Sequence, residues 1–328
     1  MLNELFSSSG VDILRVLCMA PYKEFYLREL AKESKTSPAH TSRMLNNLMK
    51  HNIVKKRKAG RQDFYRIDLE KQLAAYIFNL FHLERRLSLP AEFRAAMEEF
   101  CTRLKEKSGK DIISIILFGS VAKGKAGSES DLDILVISKK PEKTKDLTRD
   151  ALQDISWFYG RQVEDHVHSM EGFDSRYKEG NDLIINVLRD GIVFHDSGFY
   201  VDYLKKELPS PSREYIRGTI DFARGKLRGI DDLSEKYPGT AIMPLRIAVR
   251  DAGRILLLSK GIIPGSRHDL PKQVSRFDRK NGNLIKKVNR MFESYEKEGK
   301  ELKKEDILKY RNQAEKFLKK SIEVFESG

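Results

Sequence analysis

Between two apolar runs the chain reads LFGSVAKGKAGSESDLDILV, Leu117 to Val136. No other stretch constrains the fold as strongly. Strand side chains alternate between faces, so Asp131 and Asp133 share one face of this run while Leu132 and Ile134 share the other. Two carboxylates held side by side repel, and a chain that keeps them there needs a cation to put between them. Just upstream, the Gly119-Ser120 turn lets backbone approach a ligand closely. Its hydroxyl and amides can donate to anionic oxygens. The stretch predicts two strands that together carry a site for a cation and a phosphate.

The rest of the composition narrows the class. At 328 residues, with 40% hydrophobic and 33% charged, the chain can form two or three soluble globular domains. No apolar run approaches membrane-spanning length, so no membrane partner is expected. Cys18 and Cys101 have neither disulfide-framework nor metal-ligand spacing, which points to a reducing compartment. The opening MLNELFSSSGVDILRVL has no basic segment followed by an apolar core and a small-residue cleavage site; the expected localisation is cytoplasmic. Net charge is +13 and uneven. Residues 1–70 hold 13 Lys+Arg against 8 Asp+Glu, residues 71–199 hold 19 against 21, and residues 200–328 hold 29 against 19. The basic ends suit nucleic acid, or solubility alone; the middle suits divalent cations.

Residues 1–70 carry a helix, a short helix, and then SPAHTSRMLNNLMKHN with Ser37 as cap and Pro38 at the first helical position. A hairpin pattern follows, Ile53 and Val54, a basic turn around Gly60, then Phe64, Tyr65 and Ile67. This pattern resembles the winged helix-turn-helix domains of bacterial and archaeal transcription regulators. The resemblance implies a DNA partner, with His40, Thr41, Arg43 and Asn46 facing the major groove. Lys55, Lys56, Arg57, Lys58 and Arg61 on the wing would meet phosphates. A docking or dimerisation module is the alternative.

Residues 71–108 are expected to be connecting helices. KQLAAYIFNLFHLERRL is too apolar for a bare linker, so it packs on a neighbouring domain or on a second copy, the latter giving a homodimer. Residues 109–199 hold the motif, and the order helix, strand, helix, strand follows it. From residue 200 to 328 the pattern is four or five amphipathic helices without a strand, an antiparallel helical bundle.

The array Gly119-Ser120, Gly124, Ser130-Asp131-Leu132-Asp133, flanked by apolar strands, closely resembles the nucleotidyltransferase superfamily that shares its core with DNA polymerase β, in particular its minimal branch. That resemblance implies Mg²⁺ or Mn²⁺ held by Asp131 and Asp133. It also implies an NTP, ATP foremost, bound by Gly119, Ser120, Lys123 and Ser130. Members of that family often use a third carboxylate from a later strand as base. Glu164 in VEDHV is the choice, since Asp165 would point inward with Val163 and Val167, which is costly unless paired; Asp165 stays the alternative. His166 and His168 are read as polar-face residues, with a metal-ligand role as the other option. The C-terminal helices resemble HEPN-type or aminoglycoside nucleotidyltransferase-type bundles. His268 lacks the upstream arginine of HEPN ribonucleases, and Arg189 and His195 have that spacing only by chance.

The expected fold class is multidomain α+β, namely an all-α winged helix with a β-hairpin, a mixed-sheet nucleotidyltransferase domain and a C-terminal antiparallel helical bundle. The expected function is Mg²⁺-dependent nucleotidyl transfer from NTP to an unidentified protein, RNA or small molecule. The alternatives are a DNA-binding regulator that senses nucleotide and an antitoxin-like protein adenylyltransferase.

Overall fold

The computed structural model describes residues 8–125, 131–160, 163–265 and 269–328. They form two compact units. The first comprises Met1–Ser175 and Ile184–Leu208, the second Arg176–Leu183 and Pro209–Gly328. Residues 200–208 therefore belong with the first unit, and the eight residues from Arg176 to Leu183 with the second.

The first unit begins with helix α1 (Ser8–Met19), the short strand β1 (Phe25–Tyr26), and helices α2 (Leu27–Glu33) and α3 (Pro38–Lys50). Ser37 caps α3 by accepting from the His40 amide at 3.2 Å, and Pro38 opens the helix. Strands β2 (Val54–Ala59) and β3 (Gln62–Ile67) form a hairpin around Gly60, whose φ is +60°. With β1 they make an antiparallel sheet of order β1-β3-β2.

Helix α4 (Gln72–Leu87) is more than a connector. Its stripe of Ala74, Ile77, Phe78 and Phe81 is buried, and the helix packs on α1 and on a strand of the second sheet. Helix α5 (Ala91–Ser108) follows, and then strand β4 (Ile112–Phe118), the short turn of helix α6 (Gly119–Ala122) and strand β5 (Leu132–Ser138). Helix α7 (Pro141–Tyr159), strand β6 (Val163–His168), helices α8 (Met170–Lys178) and α9 (Asp182–Asp190), strand β7 (Ile192–Asp196) and helix α10 (Phe199–Leu204) come next. The sheet order is β6-β5-β4-β7, with β5–β6 parallel and the other pairs antiparallel.

One core lies under this mixed sheet. Leu132, Ile134 and Val136 of β5 and Ile115 and Leu117 of β4 join Phe93, Met97, Phe100 and Leu104 of α5 and Leu152 and Ile155 of α7. Leu132 and Ile134 thus point into this core, which leaves the opposite face of β5 for its aspartates.

The second unit is helical among its described residues. Helices α11 (Arg213–Arg228), α12 (Ile230–Lys236), α13 (Pro238–Leu258), α14 (Leu270–Ser275), α15 (Arg279–Glu298) and α16 (Lys304–Ser327) make it up. Helix α13 is its axis, with α11, α15 and α16 packed against it. Segment 176–183 is tied in by Arg254, which donates to Asp182 at 2.7 and 3.1 Å, to Asp251 at 2.8 Å and to the Tyr215 hydroxyl at 2.8 Å. No helix among the described residues is long and apolar enough to cross a membrane.

Candidate active site

The site begins where β4 ends. Phe118, the last residue of β4, is in register with Asp133 of the antiparallel β5. Asp133 is in register with Glu164 of the parallel β6. Registered partners in neighbouring strands point to the same face, so Phe118, Asp133 and Glu164 lie side by side. Asp131 immediately precedes β5, outside the strand, and is half-buried. His166 shares the face, its ring centroid 5.7 Å from that of Phe118 and its Nε2 3.8 Å from Glu164 Oε1.

Gly119 explains why a glycine must follow the strand. Its φ of +76° disfavours L side chains, and a Cβ there would stand 1.7 Å from Asp133 Oδ2 and 2.6 Å from its Cγ. The Asp133 carboxylate therefore occupies the space over the Gly119 backbone. Ser120 is half-buried. The turn is tied by the Gly124 amide donating to Val121 O at 3.0 Å and the Lys125 amide to Ser120 O at 3.0 Å.

Lys123 lies elsewhere in the turn, with its Nζ 3.1 Å from Asp190 Oδ2. Ser130 lies outside the described residues, as do Arg267 and His268. Asp165, expected inward with Val163 and Val167, is exposed. β6 is the edge strand, so a side chain on its helix-covered face still reaches water.

Arg85 went unnoticed in the sequence. Its guanidinium donates to Ala122 O at 2.6 Å, Asp190 O at 2.6 Å and Gly191 O at 3.3 Å. It thereby holds the end of α6 to the start of β7, and burial draws its pKa below the usual arginine value. The only local signal was a cation inside the apolar run FHLERRL.

Among the described residues no group of three or more His, Cys, Asp or Glu side chains converges as a ready cage for a metal. Two half-buried carboxylates two residues apart, Asp131 and Asp133, nevertheless fit Mg²⁺ or Mn²⁺ by their chemistry. Such ions take hard oxygen ligands, and Mg²⁺ usually keeps waters and binds one or two carboxylates plus substrate phosphates.

The residues expected to face DNA divide. Arg43 and Asn46 are exposed on α3, and Lys58 and Arg61 on the hairpin. Lys56 pairs with Asp63 at 2.9 Å, and Lys55 lies 4.0 Å from Asp68. Arg57 donates to Glu24 at 2.9 and 3.0 Å. His40 Nε2 lies 2.7 Å from Ser9 Oγ. Thr41 is buried, with its hydroxyl 2.7 Å from that of Thr36 and donating to Ser37 O at 3.0 Å. It stands three and four residues before Met44 and Leu45, on the inner stripe of α3, and so does not face outward.

Residues 97–194 match the nucleotidyltransferase domain family. A Methanocaldococcus jannaschii protein, assigned by name to the protein adenylyltransferases, is 36% identical over 118 residues, which is 34% of this chain and 79% of the relative. Two solved structures align at lower identity. One is the spectinomycin adenyltransferase AAD(9) of Enterococcus faecialis with ATP and spectinomycin, 17% identical over 69% of this chain and 98% of that one, with a TM-score of 0.44. The other is a toxin–antitoxin structure with AMP-PNP, 15% identical over 42% and 97% of the two chains, with a TM-score of 0.24. The domain match runs through both motif strands and the turn between them, and the archaeal relative is matched over most of its length, so the chain belongs to the nucleotidyltransferases and is an enzyme of that class.

Proposed function

We propose that the protein transfers AMP from ATP to a hydroxyl of a protein acceptor. The observation that carries this reading is the Asp133 carboxylate seated over the Gly119 backbone, with Glu164 in register beside it. Asp131 and Asp133 would hold Mg²⁺ or Mn²⁺, which supplies charge neutralisation for the triphosphate. Gly119 lets the turn backbone come close to the phosphates, and Ser120 Oγ donates to them. Glu164 takes the proton of the acceptor hydroxyl as its oxygen bonds to the α-phosphorus. The bond from that phosphorus to the bridging oxygen breaks and pyrophosphate leaves. ATP as donor and protein as acceptor are supported by the name of the archaeal relative.

The test is incubation with α-³²P-ATP, Mg²⁺ and extract of the source cells. A labelled protein band is expected with wild type and not with D131N/D133N. Label that persists in the double variant refutes the reading. Tight ATP binding without transfer favours the nucleotide-sensing regulator.

The N-terminal elements are read as a winged helix that binds DNA through Arg43 and Asn46 of α3 and through Lys58 and Arg61 of the hairpin. The second unit is read as a HEPN-like or aminoglycoside nucleotidyltransferase-like bundle that selects the acceptor. The free thiols of Cys18 and Cys101 fit a reducing cytoplasm. Helix α4 supports a homodimer. Opposite its buried stripe, Tyr76, Leu80, Leu83 and Leu87 are exposed and Leu73 half-buried, a 3–4–3–4 spacing that forms a two-helix seam. Sedimentation of L80E/L83E as a monomer where wild type is a dimer checks this.

A further inference from the structure

We propose that the second unit binds single-stranded nucleic acid along the outer face of α15, independently of the catalytic reading. From Arg279 to Phe292 the sequence is RKNGNLIKKVNRMF, with five basic residues and no acid. All five, Arg279, Lys280, Lys286, Lys287 and Arg290, are exposed. At about 100° per residue, these five and exposed Asn283 fall within an arc of about 120°. The opposite side, Leu284, Ile285 and Val288, is buried in the core of the unit. The face is therefore a cationic stripe, with Arg279 and Lys280 at its start, Asn283 one turn on, and Lys286, Lys287 and Arg290 following within about one further turn of each other, at about 5.4 Å per turn.

Charge on this face is not used internally. Among the described residues none of the five is in an ion pair. Some other cations of the unit are paired, Lys304 with Glu235 at 2.6 Å and Lys320 with Asp278 at 2.7 Å. The Lys320 pair also neutralises the acid that immediately precedes α15. Unpaired like charges on one face repel, and a polyanion removes that repulsion.

An aromatic residue decides which polyanion fits. Phe277, two residues before α15, is 48% exposed, and Lys260 Nζ lies 5.3 Å from its ring centroid. An exposed ring at the end of a cationic track offers a stacking platform to an unpaired base, which a duplex keeps inside its stack. The ligand chemistry is therefore a phosphodiester strand with unstacked bases, of either sugar.

Fluorescence anisotropy of the full chain with labelled 20-nucleotide U-RNA, dT₂₀ and a 20-base-pair duplex tests this at several salt concentrations. K286E/K287E/R290E is expected to weaken single-strand binding by at least tenfold. It should also lower the slope of log affinity against log salt by about 2, at roughly 0.7 for each phosphate no longer neutralised. F277A should weaken single-strand binding by roughly 5- to 100-fold with the slope unchanged. K139E/K143E, at two exposed cations of the first unit, should leave single-strand binding as it was. K286R/K287R keeps the charge and should bind as wild type, and equal melting temperatures establish that the exposed substitutions leave the fold intact. RNA preferred over dT₂₀ would identify the strand as RNA, and the reverse as DNA; both support the proposal. Unaltered affinity and slope in the triple variant overturn it, as does an equal loss on the duplex. Unaltered binding by F277A overturns the single-strand assignment.

Discussion

Replacing Gly119 by alanine isolates the contact on which the site is built. The new Cβ would lie 1.7 Å from Asp133 Oδ2, and real Cβ contacts essentially never fall below 3.0 Å. The carboxylate must therefore retreat by at least about 1.3 Å, the difference of those two distances. A misplacement of about 1 Å at a reacting centre costs roughly 10²-fold in rate, so G119A is expected to lose at least that factor in transfer from α-³²P-ATP. The residue also sits at φ +76°, which adds about 1–2 kcal/mol of backbone cost and lowers the melting temperature by roughly 2–8 °C. Gly124 separates the two effects. Its φ is +65°, and nothing lies within 4 Å of where its Cβ would be. G124A should show the thermal shift and keep most of the activity. Equal activity in the two variants would refute the argument, because the collision with Asp133 would then have no catalytic consequence.

Three other substitutions probe separate claims. E164Q should slow transfer by about 10²–10⁴-fold with ATP binding nearly intact, while D165N, exposed on the edge strand, should stay near wild type; titration calorimetry with single-turnover rates checks both, and a loss confined to D165N moves the base to that residue. Burial, aided by the Arg85 cation, lowers the His82 pKa to about 3, and its Nδ1 has no hydrogen-bond partner. The unfolded chain takes up this proton below about 6.5 and the folded one only near 3, so stability falls with pH across that window, by about 2 kcal/mol at pH 5; urea midpoints at pH 7 and pH 5 should differ less in H82F. R254A leaves Asp182 and Asp251 buried without their cation and should cost about 3–5 kcal/mol, read by thermal unfolding, with partial recovery in D182N/D251N/R254A.

What could be read from the chain was what neighbouring residues decide among themselves. A period of two placed Asp133 opposite Ile134, a serine and proline marked the start of α3, and glycine marked both the hairpin and the turn at Gly119. Where a residue's surroundings come from distant segments, the same rules fell short. Strand alternation put Asp165 on the inner face correctly. Burial did not follow, because exposure at an edge depends on which strand comes next in the sheet, and β6 has no neighbour on that side. Thr41 differs in kind. Its place on the buried stripe was available from its spacing to Met44 and Leu45, and the expectation that it faces DNA came from the family resemblance.

Arg85 shows the limit most clearly. Its three acceptors lie 37, 105 and 106 residues away, so local spacing carries no trace of them. Yet their positions follow from the topology. β7 pairs with β4, so the residues that precede β7 arrive beside the turn that ends β4. Two sets of carbonyls from the ends of α6 and α9 meet there, beyond the reach of sheet hydrogen bonds. A guanidinium with donors fixed in a fork can satisfy several such acceptors at once, and a lysine would supply only a point charge. The apolar face of α4 carries that guanidinium to the turn, so the burial that makes α4 look like a core helix is also what positions the Gly119 loop over Asp133.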